Sequence, residues 1–196
     1  MAELTRIGVF GGAFDPPHLA HHTLAKAALD QYALDALHII PTGSAWHKTR
    51  ALSASAHRLA MAQLAFADLP KTVIDPRETL RSGVSYTFDT LQELQREQPQ
   101  AAFFLFLGQD QAAAFEQWHR WQDILKLAQV VVAHRPLEGQ EATQWQNGGL
   151  LNVQRLAMPA LKVSATHLRH CIAQGQSTDA YLSPQVRRYI DQHRLY

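Results

Sequence analysis

At 196 residues, 46% of them hydrophobic, the chain is long enough to bury one sizeable core and too short for two full domains of roughly 150 residues each. Lys+Arg 18 against Asp+Glu 17 leaves a formal charge of +1, which excludes a whole-protein field drawing it to nucleic acid or a membrane. The longest apolar stretch, Ala101 to Leu107, is far short of the roughly 20 residues that span a bilayer. The opening residues lack a signal-peptide pattern, and the lone Cys171 rules out an internal disulfide, so a cytoplasmic, reducing setting is expected.

Arg6 to Phe10 is a short β-branched and aromatic run ending in Gly11-Gly12, which predicts a buried strand with an abrupt stop. From His21 onward, Leu24, Ala25, Ala28, Leu29 and Tyr32 recur at helical spacing. Leu37 to Ile40 predicts a second strand, followed by Pro41 and a polar loop from Thr42 to Leu52. Ser53 or Ser55 is expected to cap a helix through Phe66, with Leu59, Ala60 and Leu64 inside. Thr72 to Asp75 predicts a third strand, residues 76 to 86 a polar loop, and Ser85 or Thr87 the start of a helix bearing Phe88, Leu91 and Leu94.

Ala101 to Leu107 is uniformly apolar, as a central parallel strand covered on both faces should be. A helical stretch from Ala112 to Ala128 leads to a strand at Val130 to Ala133, then a Gln-rich polar excursion from Leu137 to Gly149. A short strand near Leu156 to Met158 precedes a helix starting at Ser164 or Thr166, and Ser183-Pro184 opens the terminal helix. Strands alternate with helices, so the expected fold is α/β: a Rossmann-like doubly wound parallel sheet with helices on both faces and a C-terminal helical segment. Residues 1 to 196 are expected to form a single domain, its portion from about 160 onward included. One chain shows no heptad seam that would set an oligomeric state.

In such folds ligands bind at the carboxyl ends of the strands. The loops there carry Gly11 through His21, Gly108-Gln-Asp110, and Ser164-Ala-Thr166-His-Leu-Arg169. Their common chemistry is anion binding. Gly11 and Gly12 let backbone N–H groups approach a ligand, and a following helix points its positive end there. His18 and His21 can both donate to phosphate oxygens. Ser164, Thr166 and Arg169 add two hydroxyls and a guanidinium fork. Each feature alone also has a plainer reading as a turn, a surface histidine or a helix cap.

Gly11-Gly-Ala-Phe-Asp-Pro-Pro-His18-Leu-Ala-His21 resembles the signature of the (H/T)xGH nucleotidyltransferase superfamily. Taken with Val163-Ser-Ala-Thr-His-Leu-Arg169, the chain is similar to the bacterial nicotinate-nucleotide adenylyltransferases from about Ile7 to Tyr196. His47-Lys48, Ser85 through Leu91, Gly108-Gln-Asp110, Trp118 with Trp121, and His134-Arg135-Pro136 extend the likeness. The sequence departs from the family pattern at Ala20, where a glycine is usual, at Ala13, where a Ser or Thr is usual, and at Trp46, where a proline is usual.

The resemblance implies transfer of the adenylyl group of ATP to nicotinate mononucleotide, giving deamido-NAD and pyrophosphate, with Mg²⁺ on the phosphates and no protein side chain as metal ligand. It implies His18, His21 and Arg169 as catalytic residues. For ATP and its phosphates it implies Gly11, Gly12, Ala13, Phe14, Lys48, Gly108, Asp110, Arg135, Ser164 and Thr166. For the mononucleotide it implies Tyr86, Thr87, Trp118 and His119. Alternatives are a related transferase acting on nicotinamide mononucleotide or phosphopantetheine, an ATP-binding sensor without turnover, and a metal hydrolase built on Asp15, His18, His21 and His22.

Overall fold

The structure is a computed structural model that describes residues 4–43, 52–134 and 153–196. Six strands form one sheet: β1 (Arg6–Gly12), β2 (Ala36–Pro41), β3 (Thr72–Ile74), β4 (Ala102–Leu107), β5 (Gln129–His134) and β6 (Gln154–Ala157). Their order is β3-β2-β1-β4-β5-β6, with every neighbouring pair parallel. The chain therefore winds outward from β1 on one side and from β4 on the other. A crevice opens between their carboxyl ends, the switch point at which doubly wound sheets bind ligands.

β4 explains the uniform hydrophobicity of its sequence. Phe103, Leu105 and Leu107 enter one apolar layer with Ile7, Val9, Leu91 and Ile124. Phe104 and Phe106 enter the opposite layer with Phe10, Leu24 and Phe66. Alternate side chains of a strand face opposite ways, and both faces here are covered. In β1 the same alternation leaves Gly8 toward the second layer, where a Cβ would stand 2.6 Å from both Leu34 and Leu37. Its missing side chain lets those leucines reach the sheet.

The helices among the described residues are α1 (Leu19–Tyr32), α2 (Ser55–Ala65), α3 (Arg77–Leu80), α4 (Thr87–Glu97), α5 (Gln109–Ala113), α6 (Trp121–Leu127), α7 (Ala165–Ala173) and α8 (Pro184–His193). None of them is long and apolar enough to cross a membrane. Ser164 caps α7 and Ser183 caps α8, each side chain accepting a backbone N–H, with Pro184 at the first position of α8. Cys171 is buried on α7.

Three expectations need correction. α2 is capped by Ala54 and turns Arg58, Met61 and Ala62 inward, while Leu59, Ala60 and Leu64 are half-buried. Its inner face meets two unlike surfaces: Met61 joins Leu168, Leu182, Val186 and Ile190 of the C-terminal helices, and Arg58 runs toward polar loops. The stretch from Ala112 to Ala128 is not one helix. It breaks into α5, a 3₁₀ turn at Phe115–Gln117 and α6, with Trp118 extended and Arg120 left-handed at φ 57°. The break buries Phe115 and Ile124 while Trp118 and His119 face the crevice. Finally, α3 lies within the polar loop 76–86, a single turn too short to show a period.

Candidate active site

A cleft of about 780 Å³ sits at the carboxyl ends of β1 and β4, within the range typical of small-molecule sites. One wall is the loop from Gly11 to His21. Thr42 N–H donates to the Gly12 carbonyl (2.8 Å), fixing the loop to the end of β2. Phe14 adopts φ 48°, in the left-handed region, and is buried edge-on against Phe10, Phe66 and His21. A bulky residue in that conformation is costly and is held by the packing around it. By contrast, a Cβ on Gly11 would meet nothing nearer than the Ile40 carbonyl at 4.0 Å, and one on Gly108 nothing at all. The protein's own packing needs neither glycine, and both line the cleft.

His18 is the N-cap residue of α1 rather than part of its first turn. Its ring stacks on that of His21, with centroids 3.8 Å apart and planes 25° from parallel. The His18 N–H donates to Nδ1 of His21 (3.2 Å), so a neutral His21 ring carries its proton on Nε2. Burial lowers the pKa of His18 to about 4, against a weaker raising contribution from its own backbone. His18 is only 8% exposed, and its Nδ1 has no hydrogen-bond partner. In the free protein His18 is thus neutral at pH 7, although a polyanion beside it would favour the charged form.

The opposite wall comes from the far end of the chain. Ser164, Thr166 and Arg169 line it, and Arg169 joins the two walls. Its Nη1 donates to the Asp15 carbonyl (2.8 Å) and its Nη2 to the Thr166 hydroxyl (3.0 Å). The plainer reading of Ser164 also holds, since its hydroxyl caps α7 by accepting from His167 N–H. Its own proton and that of Thr166 remain donors, because each hydroxyl in these contacts only accepts.

Along the cleft floor lie Gly108 and Asp110 at the start of α5, with Tyr86, Thr87, Trp118 and His119 beyond them. Trp118 is half-buried, its ring tilted against that of Phe115, and it lines the cleft. The Tyr86 and His119 rings lie 4.3 Å apart. The cleft thus brings together every candidate site residue of the described regions. Lys48 and Arg135, with His47 and Trp46, lie outside the described residues.

Several polar residues at the cleft or just behind its wall escaped the sequence reading. Arg58, 3% exposed, donates from Nη1 to the carbonyls of Ala13 (3.1 Å) and Thr42 (2.6 Å) and from Nε to Ser53 (3.0 Å). Burial lowers its pKa, opposed by Asp15, Tyr196 and Glu78 nearby. The buried Glu78 carboxyl accepts from the Thr90 hydroxyl (2.8 Å). Burial raises its pKa, against the Thr90 contact, Arg81 and the Gly43 N–H. A Cβ on Gly43 would stand 2.1 Å from the Glu78 carbonyl, so that approach requires glycine. Nothing in the spacing of Arg58 or Glu78 separates them from solvated helix residues.

The metal-hydrolase alternative loses its ligand set. His22 Nε2 pairs with Asp68 (2.9 Å), Asp15 is engaged elsewhere, and the described residues contain no group of three His, Cys, Asp or Glu placed to hold a metal. The donors of the cleft suit an anion instead: backbone amides, imidazoles and a guanidinium. A divalent cation arriving with that anion would be held by the ligand's own oxygens.

Comparison with known proteins follows the same lines. A family model described as cytidylyltransferase-like matches residues 9–171. The chain is 53% identical over 195 residues, covering 98% of both chains, to a probable nicotinate-nucleotide adenylyltransferase of Albidiferax ferrireducens. It is 38% identical to a protein of the same description from Chromobacterium violaceum, over 97% of this chain and 98% of that one. A Plasmodium falciparum nicotinic acid mononucleotide adenylyltransferase complexed with NaAD superposes with a TM-score of 0.82 at 17% identity, covering 98% and 97% of the two chains. At that identity the likeness speaks for the fold.

Proposed function

The chain belongs to the nicotinate-nucleotide adenylyltransferases of the cytidylyltransferase-like family, and from that premise we propose that it transfers the adenylyl group of ATP to nicotinate mononucleotide, releasing pyrophosphate and deamido-NAD for NAD biosynthesis. Within the structure, the observation that supports this most is the bond from Arg169 to Asp15. It brings a guanidinium and two hydroxyls to the same cleft as His18 and His21. A triphosphate needs donors on both sides, and the cleft supplies them.

The attacking group is the 5′-phosphate of the mononucleotide. Its second pKa near 6 leaves it mostly ionised at pH 7, so no general base is needed. Its oxygen forms a bond to the α-phosphorus of ATP as the bond from that phosphorus to the bridging oxygen breaks, and pyrophosphate leaves with the electron pair. The protein's share is in-line positioning and charge neutralisation. In this reading His18, His21 and the amides of Gly11 to Phe14 meet the phosphates near the reacting centre. Arg169, Ser164 and Thr166 hold the β/γ end. Mg²⁺, when bound together with the nucleotide, would supply further charge neutralisation as a Lewis acid.

Trp118 stacks on the nicotinate ring, and the amides near Thr87 and His119, beside Tyr86, receive its carboxylate. Gly108 and Asp110 meet a ribose, Lys48 assists at a phosphate, and Arg135 lies against adenine. All of residues 1–196 serve as one nucleotidyltransferase domain, whose segment from about 160 onward contributes the Ser-x-Thr-x-x-Arg motif, working in the cytoplasm.

The test is pyrophosphate release with ATP and, in turn, nicotinate mononucleotide, nicotinamide mononucleotide and phosphopantetheine. The highest kcat/KM is expected with nicotinate mononucleotide. A higher value with either other acceptor overturns the substrate assignment, and ATP binding without pyrophosphate release from any of the three overturns the enzymatic one.

A further inference from the structure

Asp15 is an anomaly in a loop whose other polar groups suit a polyanion. It is a carboxylate, 1% exposed, between Phe14 and His18 at the edge of the cleft. Its oxygens are divided among partners from three parts of the chain. Oδ1 accepts from the Tyr196 hydroxyl (2.5 Å), Oδ2 from the Ser53 N–H (3.3 Å), and the backbone carbonyl from Arg169 (2.8 Å). Arg58 stands beside it as a counter-charge while bonding the carbonyls of Ala13 and Thr42.

Tyr196 reaches this position by a defined route. Arg194, left-handed at φ 52°, reverses the chain after α8, and Leu195 N–H bonds back to the Ile190 carbonyl (3.1 Å). Leu195 and Tyr196 then pack against the cluster of Met61, Leu168, Val186 and Ile190. The ring therefore has its own packing, and the hydroxyl alone meets Asp15 and the Ser53 side chain.

We propose that Tyr196 is a positioning residue for the triphosphate, acting through Asp15: its hydroxyl holds the carboxylate beneath the glycine loop, so that Arg169 and the loop amides face the phosphates without a competing negative charge. With the hydroxyl gone, one of the contacts that hold the Asp15 carboxylate in place is lost, and two shifts follow. The carboxylate can turn toward the cleft, where it repels the phosphates, or draw the Arg169 side chain onto itself, where the guanidinium no longer serves the ligand. Both weaken ATP and neither touches the acceptor end at Trp118. The inference rests on the reading of the cleft as an ATP site.

The test is Tyr196→Phe, which keeps the ring and removes one oxygen. Calorimetric ATP binding without acceptor is expected to weaken about tenfold, the scale for one hydrogen bond to a charged group. KM for nicotinate mononucleotide should stay within twofold of wild type, and Tm within a few degrees. Asp15→Asn should weaken ATP less in the Tyr196→Phe background than in wild type, and Ser53→Ala should shift ATP affinity the same way by less. Unchanged ATP affinity in Tyr196→Phe overturns the proposal. So does parallel loss of both substrates with a falling Tm, or loss of folding, which makes the contact merely structural. A wild type that binds ATP but transfers nothing overturns the parent reading while leaving this comparison readable.

Discussion

At the level of single residues, His18 carries the sharpest consequences. A buried imidazole with an unpartnered nitrogen is costly to maintain, and its place at the switch-point cleft gives that cost a use. His18→Ala is expected to lower kcat by roughly 10²–10³-fold, the scale for removing a preorganised charge stabiliser, with a melting curve close to wild type. The imidazole should titrate near 4 in the free protein. Bound ATP raises that pKa, so binding takes up protons and ATP affinity falls as pH rises between the free and bound values. A histidine NMR titration with and without ATP checks this, and an unshifted His18 resonance would contradict it. The sequence made the two histidines legible because they stand in a motif beside glycines. It hid Arg58, Glu78 and the role of Asp15, because a polar residue in an amphipathic helix or loop looks solvated until the fold brings it carbonyls and hydroxyls from elsewhere.

Among the elements, the strands were the most legible. Ala101 to Leu107 was expected to be a strand covered on both sides, and the two apolar layers that divide its side chains bear this out. The run from Ala112 to Ala128 was misread because periodicity averages over a break. In one continuous helix Phe115 and Ile124, nine positions apart, would point to opposite sides; Arg120 turns left-handed between them, its guanidinium 3.8 Å over the Phe88 ring, and both side chains reach the core. On the other edge, β2 and β3 are joined by a polar pair. Burial alone would raise the pKa of Asp75, but hydrogen bonds from His38 (2.9 Å), the Arg77 N–H (3.0 Å) and the Arg77 side chain (2.8 Å) outweigh it and bring it to about 2. A carboxyl depressed below its unfolded value of about 3.9 adds stability that is complete above that pH and lost as pH falls through the folded value, here about 2 kcal/mol. Asp75→Asn should lower stability by about 3 kcal/mol at pH 7, since it leaves buried donors short of their counter-charge. In urea unfolding, the gap between variant and wild type should narrow as pH drops from 4 toward 2.

For the whole molecule, the ordering of elements was readable from alternation alone, whereas the closing of the cleft was not. No local pattern shows that α7 returns to the loop after β1, because that contact depends on α2 carrying Met61 to the C-terminal helices and on Arg169 reaching across 154 residues of sequence. Arg169→Lys keeps the charge but replaces the planar fork that bridges Asp15 and Thr166. It is expected to raise KM for ATP about tenfold and to lessen the rise in Tm that saturating ATP gives wild type, as mass action requires when affinity falls. The span of that bridge also bears on how the protein comes into being. Asp15 leaves the ribosome long before Arg169 and, at a separation of 181 residues, longer still before Tyr196. Until those distant residues have been made, a nascent chain with its central strands already assembled still lacks a competent nucleotide pocket. Nucleotide can reward only a chain that already carries Arg169 and Tyr196, and translation products truncated before them, however well their sheet has formed, should neither capture ATP nor be rescued by it.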